Sequence, residues 1–79
     1  MNVKSRVALR AAIDKATEAL EEIRRIGEEE REKFDNMSEG LQQTERGISM
    51  NEGADAMEDV AGTIEAALEN IEEYASWDS

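Results

Sequence analysis

With 79 residues, no cysteine, no histidine and no proline, the chain is bounded as one small domain. It lacks disulfides, the usual zinc or copper ligands, a thiol nucleophile and the commonest general base, and at this size self-association is the expected source of added stability. A net charge of −11 argues against duplex nucleic acid and anionic membrane surfaces, both held mainly through Lys and Arg.

The chain opens on Met1-Asn2-Val3-Lys4-Ser5-Arg6, which is basic but is not followed by the apolar core of a signal peptide. No apolar run approaches the ~20 residues that span a bilayer, so a protein of the cytoplasm is the expectation. Leu9, Ile13, Ala16, Leu20, Ile23, Gly27, Glu30, Phe34 and Met37 recur with alternating 4,3 spacing, the seam of an amphipathic helix that packs against another. This predicts helix 1 over about 3–35. Gly27 and Glu30 interrupt the seam, with Arg24, Arg25, Arg31 and Lys33 beside them. In one reading Glu30 marks where the helix leaves the core and the cations form i,i+4 pairs; in the other the cations make a mouth near the turn, completed by Arg46. The first has the firmer footing, because charged runs on helices are usually solvated faces.

Residues 36–48 form a polar motif longer than a simple turn needs. A short helical turn fits here: Asn36 and Glu39 have capping-box spacing, and Leu41 gives it an apolar residue to bury. Gly40 and Gly47 suit either turn geometry or the close approach of another backbone or a ligand.

Met50, Ala54, Met57, Ala61, Ile64, Leu68, Ile71 and Ala75 repeat the 4,3 spacing, and Val60, Ala67 and Tyr74 widen the stripe. That predicts helix 2 over about 50–76, with Ser49 as N-cap and Glu52 reaching back. Tyr74 is expected on the bundle edge and Trp77 over a neighbouring hairpin. No alternating strand pattern competes. The fold class is all-α: an antiparallel helical hairpin, two long helices joined by a polar loop or short helical turn, assembling into an oligomeric bundle. Antiparallel pairing sets the basic first turns of helix 1, with Lys4, Arg6, Arg10 and Lys15, beside Glu65, Glu69, Glu72 and Glu73.

No catalytic constellation is present. Carboxylates abound, but a di-metal bundle site also wants Glu-x-x-His pairs, and no run has the ligand spacing of a calcium loop. A binder without cofactor or metal is therefore expected rather than an enzyme. The middle holds the inventory for a small polar anion. Arg46 offers a fork of donors suited to phosphate, and the helix 2 start around Ser49 and Asn51 adds backbone N–H groups and a favourable dipole. Asn36, Gln42, Gln43 and Thr44 can read the edges of a base, and Phe34 can stack on a ring or, with Met37, sit in the core.

The run FDNMSEGLQQTERG at Phe34 to Gly47, followed by an acidic, alanine-rich helix, resembles a motif common in small helical proteins of bacteriophages. Those proteins typically have a proline where this chain has Ser38. The group is similar to the type 4 anti-CBASS proteins, phage immune-evasion sponges that sequester cyclic dinucleotides such as cyclic GMP–AMP inside an oligomer. The resemblance implies a non-enzymatic homo-oligomer, a tetramer rather than a dimer, binding a cyclic dinucleotide in the host cytoplasm. The site residues are read from their chemistry and placed on the shared motif; they are not transferred from the family.

Two other functions compete. An acidic helical decoy would occupy a basic host protein, using the carboxylates of helix 2. A plain assembly module would use the middle segment only to cap the end of a bundle.

Overall fold

In the structure, a computed structural model, residues 1–76 are described; the expectation for Trp77 lies outside them. Three helices follow in order, α1 (Val3–Asp35), α2 (Glu39–Gln42) and α3 (Glu45–Ser76). α1 begins where Asn2, in extended backbone, accepts from the Ser5 N–H at 2.7 Å through its side chain. Such a cap satisfies one of the donors that a helix start leaves open. Lys33 in the last turn complements the negative end of the helix.

α1 and α3 pack antiparallel as a rod 59 × 15 × 14 Å, the helical hairpin expected from the two seams. Its core is thin. Ile13, Leu20, Ala54 and Ala61 are buried together with Gly27, and the remaining seam positions are half-buried apart from Ile71. Gly27 belongs to the seam rather than interrupting it. A Cβ at that position would stand 3.3 Å from the Met57 Cβ, so glycine lets the two helix backbones approach closely there. Glu30 is also half-buried, with its carboxylate 3.2 Å from Lys33 Nζ.

Ion pairs lace one flank. Arg31 reaches Asp55, Arg24 reaches Glu65 and Arg10 lies 4.0 Å from Glu72. These set arginines of α1 against carboxylates of acidic α3. Exposed pairs of this kind contribute about 0–1 kcal/mol each, so they select orientation more than they stabilise. Burial does most of the holding.

α3 begins at Glu45, not near residue 50. Ser49 therefore lies inside the helix and is exposed, and Glu52 does not close a capping box with it. The cap is Thr44: its hydroxyl accepts from the Gly47 N–H at 3.2 Å, and its carbonyl accepts from the Ile48 N–H at 2.9 Å. Tyr74, expected on the bundle edge, is half exposed at 51%.

Gly62 lies within α3, exposed, with nothing inside 4 Å of a Cβ built there. Gly62→Ala is expected to stabilise the chain by about 0.5–1 kcal/mol, because alanine removes backbone freedom from the unfolded state at no steric cost. Thermal unfolding followed by circular dichroism checks this; a lower midpoint would contradict it.

Candidate functional site

The turn end of the hairpin is a compact set of caps. α1 stops at Asn36, whose N–H still donates to the Glu32 carbonyl at 3.0 Å. Asn36 is thus a C-cap, not the N-cap of the next turn. Ser38, in extended backbone, takes that role for α2, accepting from the Leu41 N–H at 3.4 Å. The Gln42 side chain reaches back and donates to the Phe34 carbonyl at 2.9 Å, which ties α2 to the last turn of α1. The Thr44 hydroxyl donates to the Leu41 carbonyl at 2.6 Å while capping α3. Polar side chains satisfy the helix ends that a two-bend connection multiplies.

Gly47 closes this arrangement. It is buried, and a Cβ there would overlap the Leu41 carbonyl oxygen and stand 2.6 Å from that of Gln42. Neither Gly40 nor Gly47 has a positive φ. Gly47 serves close backbone approach, and Gly40 has open space around it. Leu41, expected to be buried, is 53% exposed.

The expected ligand residues divide by this geometry. The side chains of Gln42 and Thr44 are committed to helix ends, whereas Asn36 caps α1 through its backbone N–H and its side chain is exposed. Asn51 accepts a hydrogen bond from Arg31. Phe34 is half-buried on the seam. Gln43, Arg46 and Ser49 are exposed, and Arg46 and Ser49 share one helix face at i,i+3 spacing. The helix start expected at Ser49 and Asn51 has moved to Glu45, whose carboxylate occupies the first turn. That acidic residue disfavours an anion at the α3 terminus.

The cationic mouth does not form. Arg24 and Arg31 are engaged by carboxylates of α3; Arg25 lies 3.9 Å from Glu22 and 3.4 Å from Glu29; Lys33 pairs with Glu30. Among the described residues the Arg46 side chain makes no ion pair or hydrogen bond. A groove of about 430 Å³ runs along the ion-paired flank over Gly27 and Ala54. Arg24 and Arg31 line it, both paired with carboxylates of α3, and Glu28, Glu32, Asp35 and Glu58 leave its lining net negative; none of the expected ligand residues lines it. The candidate site is therefore a surface patch at the turn end and not an enclosed cavity.

Two signals for this geometry stand in the sequence. Ser38-Glu39 and Thr44-Glu45 each join an N-cap residue to an acid at the first helical position, the pattern that opens a helix. Among the described residues, no helix is long and apolar enough to cross a membrane. In comparisons with known proteins, no protein-family model, curated protein or solved structure matches the chain.

Proposed function

We propose that this chain is a non-enzymatic, homo-oligomeric sponge that binds a cyclic dinucleotide such as cyclic GMP–AMP, a phage-type immune-evasion role exercised in the host cytoplasm. The observation that carries the reading is Arg46. In a chain of net charge −11, Arg46 is exposed and unpaired in the first turn of α3, on one helix face with Ser49 and next to a turn fixed by side-chain caps. Arg10, Arg24, Arg25 and Arg31 are each drawn to a carboxylate. An exposed guanidinium without a carboxylate partner is suited to a phosphodiester, since no existing ion pair has to be broken first. One Arg46 per chain is a poor match to the two phosphates of a cyclic dinucleotide, so the reading requires copies to pool their turn ends, as a tetramer would.

Isothermal titration of the purified protein with a panel of cyclic dinucleotides tests this. Binding is expected for at least one, and Arg46→Ala should weaken it about 10–100-fold, the worth of a charged hydrogen bond. Thermal stability should stay within about 0.5 kcal/mol, because the residue is exposed and unpaired. No binding to any member at tens of micromolar would sink the proposal.

The plain assembly module is the second reading, favoured by the commitment of the Gln42 and Thr44 side chains to helix ends. It expects Gln42→Ala to lower the thermal midpoint and no nucleotide to be retained by protein purified from cells.

A further inference from the structure

The hairpin has two unlike sides. The cross-helix ion pairs made by Arg10, Arg24 and Arg31 use α1 positions seven residues apart or twice that, so they share one flank. On the other flank the exposed residues of α1 include Ala12, Ala19 and Ile26, and those of α3 include Val60, Ala67 and Tyr74. At about 100° per residue, each set is rotated in the same sense from the buried seam of its own helix. The helices run in opposite directions, so the two rotations bring both sets to the same side. The register of Arg24 with Glu65 and Gly27 with Met57 makes three levels: Ile26 with Val60, Ala19 with Ala67, and Ala12 with Tyr74.

We propose that a second copy of this chain docks on that apolar side, related by a two-fold axis parallel to the long axis of the rod. Surface area points to an occupant. The chain exposes 5893 Å², whereas a compact protein of 8.8 kDa exposes about 4,800 Å². The surplus of about 1,100 Å² matches or exceeds the ~800 Å² each partner buries in a standard interface.

Complementarity selects the occupant and the axis. A two-fold along the rod lays α1 of one copy over α3 of the other at the same level and antiparallel. Ala12 then faces Tyr74, Ala19 faces Ala67 and Ile26 faces Val60, so the largest side chain meets one of the smallest. The basic turns carrying Lys4 and Lys15 come beside the acidic C-terminal half of α3, repeating between copies the pairing found within one. A two-fold lying in the face and perpendicular to the rod would instead lay α3 on α3, juxtaposing two strongly acidic helices and bringing Tyr74 onto Val60. The docking rests on the homo-oligomeric part of the function proposed above and not on its ligand.

The absence of cysteine makes the test direct. Full-length Ala19→Cys and Ala67→Cys proteins, both changed at exposed helical alanines, are co-refolded and oxidised. The 19–67 disulfide is expected to outnumber 19–19 and 67–67 together, with wild type showing at least a two-copy mass by light scattering. Val60→Lys should give a one-copy mass with helicity retained, since Val60 is half exposed in the single hairpin. A one-copy wild-type mass at hundred-micromolar concentration would overturn the proposal, as would dominant like-with-like disulfides or a Val60→Lys protein that keeps its partner. Cross-linking in the expected pattern without nucleotide binding would overturn the ligand reading alone.

Discussion

Leu20→Ala is expected to lower stability by about 2–3 kcal/mol, towards the low end of the range for such truncations, and to move the thermal midpoint down by roughly 10 °C or more. Leu20 is 4% exposed and lies midway along a core with few fully enclosed side chains. Two terms set the size. The lost transfer of the buried side chain contributes about 1.5–3 kcal/mol. The cavity term is small, because Leu20 also lines an open groove of about 200 Å³ with Thr17, Glu21, Arg24, Glu65 and Leu68. Truncation there widens an existing depression that water enters, rather than leaving an empty hole. A loss above about 4 kcal/mol would show that the site is sealed, which in this fold means sealed by a further chain. Chemical denaturation at several protein concentrations measures both the loss and its origin.

Gly47→Ala should cost about 1–2 kcal/mol, against the usual gain from placing alanine in a helix. The new methyl meets backbone, the carbonyl oxygens of Leu41 and Gln42, and neither can swing aside as a side chain does. To admit it, α2 must lift off the first turn of α3, stretching the Gln42 bond to the Phe34 carbonyl and the Thr44 bond to the Leu41 carbonyl. Gly62→Ala is the internal control: the same change in the same helix, with the opposite sign. If both substitutions stabilise, the close approach at Gly47 is wrong.

The contrast between these glycines shows which parts of the molecule were legible in the residues. Side-chain spacing alone identified the seams. The α1 seam positions from Leu9 to Met37 all lose exposure, Gly27 and Glu30 included, because a 3.5-residue repeat fixes a face whatever packs against it. The α3 seam follows until Ile71, which is 38% exposed near the open end of the rod. The start of α3 was less legible. Ser49-x-x-Glu52 and Thr44-Glu45 both satisfy local rules for opening a helix, and the choice falls on Thr44 because α2 delivers its hydroxyl against the Leu41 carbonyl. That contact depends on where α1 ends, which no short pattern contains. The amide and hydroxyl residues were likewise ambiguous. Their types equip them equally to bind a base or to cap a helix, and only distance assigns Gln42 to the Phe34 carbonyl. Arg46 was legible as a phosphate-type donor; that Arg24 and Arg31 are neutralised and it is not depends on pairs 24–65 and 31–55, which lie far apart in sequence.

The Gln42–Phe34 bond closes a loop of 8 residues, whereas the Arg10–Glu72 pair closes one of 62. Closing the longer loop first would cost about 1.8 kcal/mol more in chain entropy than closing the shorter. Folding should therefore start at the turn and proceed towards the termini, each contact shortening the loop left for the next. The loss in Gly47→Ala should then appear mainly as slower folding, with unfolding little changed, the signature of a residue whose contacts are made in the transition state. On this view the turn that holds Arg46 in place is also where the chain first commits to its fold.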